Sequence, residues 1–266
     1  MKKVPDFTII IPTHNRAHLL TRALTSIREQ GTKFSYEIIV VSDVMDPDTG
    51  AVCQALLTGS DIFVSRNGSQ GPSASRNIGL SLAKGEFVLF LDDDDAWHPG
   101  LIESLVNSQN SRPFGPVYFN CSVVKERRLF KATEFISEHT LNLAGVLTEQ
   151  IYVRNQIHLS CFAFPKQTLS GLYFDENLRA YEDWDFLLSV LDRHPVTHQP
   201  FLGSKIFEVD DETTDRRGDS ADAKNFNATL DYLHIYRRHP GPTGIIRETR
   251  AKLMSLRDIN IPAEML

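Results

Sequence analysis

Residues 86–99 read EFVLFLDDDDAWHP, an apolar run that ends in four consecutive aspartates. Neighbouring like charges repel, and the cost grows where a buried strand end holds them near a low-dielectric interior. Cationic partners are therefore expected close by. Capping the helix suggested by AWHPGLIESLV needs one acidic residue rather than four, so Asp95 alone suits a cap and the run as a whole reads as part of a site. A divalent cation gathers oxygen ligands at about 2.0–2.6 Å. Asp92 and Asp94 stand at i and i+2, a spacing that lets both reach one ion, while Asp93 on a continuing strand points the other way.

Outward from this stretch, short β-branched runs alternate with amphipathic ones. Strands are expected at 7–11, 37–42, 61–65, 86–91 and 117–124, and helices at 17–29, 48–57, 73–84 and 99–109. Leu20, Leu24 and Ile27 mark one apolar helical face, and Ala74, Ile78 and Leu82 another. Nearly continuous apolar strands joined by helical crossovers indicate an α/β fold with a mostly parallel sheet covered on both faces. Ligands of such sheets bind beyond the carboxyl ends of the strands. Thr13, His14 and Asn15 follow the first strand, Asp43 the second, Arg66 and Asn67 the third, and Asp92–Asp95 the fourth. These groups converge on one edge, where a ligand carrying phosphates and a metal ion would suit them.

The second half is less regular. Strands are expected at 157–165 and 204–209 and a helix at 182–194, in which Trp184, Leu187, Leu188 and Leu191 follow the spacing of a buried stripe. Helical stretches at about 221–238 and 243–257 close the chain after the polar segment 210–222. A chain of 266 residues accommodates one large α/β domain or two small ones. With 41% hydrophobic and 23% charged residues it reads as soluble and globular, and its net charge of −6 argues against a nucleic-acid partner. Cys53, Cys121 and Cys161 are odd in number and lack C-x-x-C spacing, which points away from a disulfide framework or a zinc site and toward a reducing, cytoplasmic setting. The apolar run after MKK is too short, and ends too polar, for a signal peptide. No stretch approaches the length of a transmembrane helix.

Four segments in order, IIIPTHNR, EIIVVSD, GPSASRNIGLSLAKGEFVLFLDDDD and AYEDWDFLL, resemble the inverting family 2 glycosyltransferases of GT-A fold, over roughly residues 5–220. The resemblance implies a Rossmann-like sheet with a nucleotide-sugar-binding half (1–110), an acceptor-binding half (111–220) and a C-terminal helical extension (221–266). It implies a nucleotide-sugar donor, UDP-linked by preference, a Mn²⁺ or Mg²⁺ cofactor, and a glycan or lipid-linked glycan acceptor. Peripheral contact with the inner face of the membrane and oligomer formation are left open.

By matched motif, Pro12 and Thr13 would lie along the nucleobase with Asn15 and Asn67 near the donor, and Asp43 would accept from a pyrimidine. Asp92 and Asp94 would flank the metal, Asp94 as its direct ligand, and Asp93 would lie at the ribose. Arg76 would meet either the diphosphate or, as a salt bridge, the aspartate run. Asp183, with Glu182 beside it, occupies the position of the base that takes the acceptor's proton, although both acids also suit the start of a helix. Asp185 reads as helical surface. Arg217 and Ser220 match a loop near the diphosphate, and no histidine is found there to complete the metal's ligands. Asn155, His158 and Trp184 are acceptor candidates, although His158, set among the apolar residues of a strand, reads first as a core histidine. The final helix sets Arg247, Arg250, Lys252 and Arg257 beside Ile245, Ile246, Leu253 and Leu256, so it either lies on a membrane or docks on protein. Two rival readings stand. A sugar nucleotidyltransferase would open with a glycine-rich basic loop, which PTHNRAHLL lacks, and a catalytically silent nucleotide- or carbohydrate-binding module would turn over no donor.

Overall fold

A computed structural model describes residues 4–68, 71–109, 115–129, 132–210 and 226–266. In chain order the elements are β1 (Phe7–Thr13), α1 (Ala17–Arg28), β2 (Tyr36–Ser42), α2 (Pro47–Leu56), β3 (Ile62–Ser65), α3 (Pro72–Leu82), β4 (Phe87–Phe90), β5 (Ala96–Trp97), α4 (Leu101–Gln109), β6 (Val117–Leu129), β7 (Ala132–Leu141), β8 (Phe162–Pro165), α5 (Glu182–Leu191), β9 (Thr197–Val209), α6 (Phe226–Arg238) and α7 (Gly244–Ser255). One sheet runs β3-β2-β1-β4-β8-β6-β9-β5, with β7 paired to β6. The first four strands are mutually parallel, and β8 and β7 pair antiparallel with their neighbours. Chain order reverses between β1 and β4, which opens a crevice at their carboxyl ends.

The apolar runs explain this arrangement. Ile9–Ile11, Ile38–Val41 and Val88–Leu91 are buried throughout, as strands covered on both faces must be. Helix α1 turns Leu20, Leu24 and Ile27 inward, as its spacing predicts, together with Leu19 and Ala23. Helix α3 differs from expectation: its most buried residues are Ser73, Ser75, Arg76 and Gly79, with Ile78 and Leu82 only partly covered. A Cβ on Gly79 would sit 2.4 Å from Ile10 Cγ2, so the missing side chain lets α3 lie directly on β1.

Other boundaries moved where pattern was weak. β6 continues five residues past the expected 124 into the β6–β7 hairpin, and every residue of β7 is exposed, so no alternation marked it. The strand expected over 157–165 is confined to Phe162–Pro165, preceded by a 3₁₀ turn at Leu159–Cys161. β9 begins seven residues before the expected 204. The boundary expected at 220/221 falls outside the described residues, but the helices around it share one core. Trp184 and Leu188 of α5 pack with Tyr232, Ile235 and Tyr236 of α6 and Met254 of α7. Arg250, expected to face a membrane or protein, is fully buried and donates to the carbonyls of Tyr152 and Leu266 at 2.7 Å each. That surface of α7 therefore docks on the protein. No helix among the described residues is long and apolar enough to cross a membrane.

Candidate active site

Beyond the carboxyl ends of the parallel strands lies a cleft of about 980 Å³. Pro12, Thr13 and His14 enter it from the end of β1, Asp43 from the end of β2, and Gly71–Arg76 from the start of α3. The aspartate run forms its floor, Arg128 of β6 one side, and the loop Glu176–Tyr181 with Glu182 and Asp183 of α5 the other. The start of α3 presents free backbone N–H groups and the positive end of its dipole to this space.

Cations meet the aspartates, as expected. Arg76 bridges Asp92 and Glu182, its two terminal nitrogens each 2.7 Å from a carboxylate. Arg16 reaches Asp93 at 3.2 Å and Asp94 at 3.1 Å, and Arg128 reaches Asp94 at 2.9 Å. Arg22 donates to the Asp94 carbonyl and to Glu126, and stacks 3.4 Å above the Phe207 ring. Buried Glu126 also accepts from Arg128 at 3.1 Å, so one carboxylate on β6 holds two of the arginines around the run.

Each aspartate has its own environment. Asp92 remains partly open to the cleft, with its side chain 37% exposed. Asp93 is buried, accepts from Thr13 Oγ1 at 2.7 Å, and is pushed up to about 6 by burial against the opposing charge of Arg16. Asp95 is no helix cap. It is buried, accepts from Ser160 Oγ at 3.1 Å and the Phe207 N–H at 3.0 Å, and is raised well above the usual range by burial and its acidic neighbours. It ties the run to β9 rather than to α4, which begins only at Leu101. Burial works against the charge of Arg76, but Asp92 and Glu182 reverse this and hold it more firmly protonated than usual.

Across the cleft, Asp183 sits half-buried in the first turn of α5. One oxygen accepts from Asn155 Nδ2 at 2.9 Å and the other from the Trp184 N–H at 2.8 Å. Burial, reinforced by Glu182 and opposed by Arg76, pushes its carboxyl up to about 7. A carboxylate so placed can take a proton near neutral pH.

The structure thus gathers Pro12, Thr13, Asp43, Arg76, Asp92, Asp93, Asp94, Glu182, Asp183 and His158 around one cleft. Asn15, which takes a left-handed φ of 50°, and Asn67 are exposed and lie outside its lining. Arg217 and Ser220 lie outside the described residues. Asn155 holds the Asp183 carboxylate. Three expectations are corrected. Trp184 is fully buried and donates to the Ile151 carbonyl at 2.6 Å, so it is core rather than an acceptor platform. Asp185 is likewise fully buried, 3.0 Å from Arg238 and 3.1 Å from His239, because that face of α5 is covered by α6. His158 is neither in a strand nor in the core; it is exposed and lines the cleft. Arg16 and Arg128 were missed, and His14 was placed at this edge without a role. Arg16 and His14 stood inside PTHNR, whereas Arg128 reaches the site only through a hairpin that carries no strand pattern.

Residues 8–156 match the family model described as glycosyl transferase family 2. A GalNAc(5)-diNAcBac-PP-undecaprenol beta-1,3-glucosyltransferase of Campylobacter jejuni is 32% identical over 236 residues, 87% of this chain and 73% of that protein. The succinoglycan biosynthesis protein ExoO of Rhizobium meliloti is 26% identical over 198 residues, 71% of this chain and 56% of that protein. The structure of S. aureus TarS 1-349 in complex with UDP-GlcNAc is similar with a TM-score of 0.66 at 18% identity, covering 94% of this chain and 72% of that one. The mannosyltransferase PcManGT from Pyrobaculum calidifontis, in complex with GDP-Man and Mn²⁺, gives a TM-score of 0.54 at 18% identity, covering 99% and 78%. The fold is that of the GT-A glycosyltransferases. The chain belongs to glycosyl transferase family 2.

Proposed function

We propose that this glycosyltransferase moves a sugar from a UDP-linked donor to a hydroxyl of a glycan or lipid-linked glycan, with inversion, and that Asp183 is the base. The observation that carries the reading is Asp183 itself. It lines the cleft, oriented by Asn155, with its carboxyl raised to about 7. In the step, the acceptor oxygen bonds to the anomeric carbon, the bond from that carbon to the diphosphate breaks, and the acceptor's proton passes to Asp183. Attack from the face opposite the leaving group inverts the centre. The UDP-GlcNAc held by TarS and the lipid-linked substrate in the name of the Campylobacter relative support the donor and acceptor classes.

A divalent cation fits part of the floor. Asp92 and Asp94 line the cleft with hard oxygen donors of the kind Mg²⁺ and Mn²⁺ accept. Among the described residues no group of three His, Cys, Asp or Glu side chains forms a ready-made site, so the diphosphate would supply further ligands. Bound there, the ion would neutralise charge on the departing diphosphate. Arg76 holds Asp92 and Glu182 in register, which couples the floor to the base side. Arg16 and Arg128, which hold Asp94, would face the same phosphates.

A thermal-shift panel of nucleoside diphosphates with and without Mn²⁺ tests the donor, since a ligand that binds only the folded state raises its stability. Asp183→Asn tests the base: donor binding should persist while transfer falls about 10²–10⁴-fold. Near-normal turnover in that variant would remove Asp183 from the role.

A further inference from the structure

The base helix does not begin from a relaxed turn. Tyr181, immediately before Glu182, has a φ of 62° and a ψ of 20°, a left-handed conformation unfavourable for a residue with a Cβ. Its neighbours must hold it there. What holds it comes from α6. Asp231, only 7% exposed, accepts the Ala180 N–H at 3.0 Å through Oδ2. The next residue, Tyr232, packs its ring against Tyr181 at 4.9 Å.

The same helix reaches both sides of the base. At the start of the loop, His234 and Arg238 grip Asp175 at 2.9 and 2.8 Å. On the other side, Tyr236 donates to the carbonyl of Val153 at 2.8 Å, two residues before the Asn155 that orients Asp183. The left-handed turn at Tyr181 is thus held from α6 by a buried carboxylate on the Ala180 N–H and by the Tyr232 ring. Glu182 and Asp183 leave that turn pointing into the cleft.

We infer that Asp231 is a positioning residue for the transfer step: by binding the backbone N–H of Ala180 it fixes the turn at Tyr181 and so the aim of the Glu182–Asp183 pair. The inference rests on the proposed reading of Asp183 as base. It assigns to α6 a part in catalysis although none of its described residues lines the cleft.

The test compares Asp231→Ala with Asp231→Asn, which keeps an acceptor oxygen, in the full chain. Steady-state turnover of a UDP-sugar and calorimetric binding of UDP are measured on each. Asp231→Ala is expected to lose about tenfold or more in kcat, as small misplacements of catalytic groups do, with donor KM and UDP affinity within about twofold of wild type. Asp231→Asn should recover most of the loss. Unchanged kcat in Asp231→Ala, or kcat and UDP affinity falling together in both variants, would overturn the inference. Should Asp231→Ala fail to fold, Tyr181→Gly against Tyr181→Ala examines the same turn. Glycine takes positive φ freely, so the glycine variant should keep the larger kcat, and equal or reversed values would count against the inference. Wild type that binds UDP yet turns over no donor would remove the functional reading and with it any base to position. Active wild type with an unaffected Asp231→Ala removes the positioning role alone.

Discussion

Arg76 joins the two carboxylate groups of the cleft, and its charge tunes Asp183, the proposed base. Asp183 is raised by burial and by Glu182, and lowered by Arg76. Only its ionised form accepts a proton, so kcat should rise with pH through about 7. Removing a positive neighbour favours the protonated acid and removing a negative one favours the carboxylate. Arg76→Met should therefore move the acidic limb of the kcat profile to higher pH, and Glu182→Gln should move it lower. Profiles measured between roughly pH 5.5 and 8.5 decide the point, and shifts of the same sign in both variants would dissociate the limb from Asp183. Arg76→Met also leaves Asp92 and Glu182 without their shared cation, which should cost about 3 kcal/mol at most, because Asp92 is partly solvated.

At the level of elements, the site depends on how closely α3 lies on β1 and how far β6 extends. Gly79→Ala drives a methyl to 2.4 Å from Ile10 and should destabilise by about 1–3 kcal/mol, read as a thermal midpoint lower by about 2–4 °C per kcal/mol. The shift should also weaken UDP binding, since α3 carries Arg76 and its N-terminus lines the cleft. On β6, Glu126→Ala leaves Arg22 and Arg128 without the buried carboxylate they share, a loss of about 3–5 kcal/mol by analogy with other broken buried pairs. An unchanged midpoint in denaturant would show that water replaces Glu126. These two elements mark where the sequence was and was not legible. β1, β2 and β4 could be read because strands buried on both faces must be apolar throughout, and the polar residues that end them fall at the cleft by topology alone. β7 could not, since a strand exposed on both faces has no alternation, and Arg128 stayed hidden with it. Trp184 was misassigned to the acceptor although its place in the 184, 187, 188, 191 stripe already put it inside, the periodicity being a stronger signal than an aromatic ring beside acids.

Across the whole molecule, two hydrophobic clusters meet in α5. Phe186, Leu187 and Val190 pack into the sheet core, whereas Trp184 and Leu188 pack with α6 and α7. Asp185, buried between Arg238 and His239, fastens the same helix to α6. Because one rigid helix belongs to both clusters, neither can be exposed without withdrawing support from the other, and the C-terminal helices should not melt ahead of the sheet. The chain carries its own reporters, with two tryptophans in all. Trp97 is buried in the sheet core and Trp184 in the second cluster. Trp184→Phe leaves fluorescence reporting on the first, and Trp97→Phe on the second. Each substitution lowers stability by its own amount, so the comparison is made within each variant against far-ultraviolet circular dichroism. Fluorescence and dichroism midpoints should coincide in both, the signature of one cooperative unit. A fluorescence midpoint in Trp97→Phe that falls below the dichroism midpoint would show the second cluster opening first. In that case α6 would be a separately folding element, and its grip on the turn at Tyr181 would loosen before the sheet does.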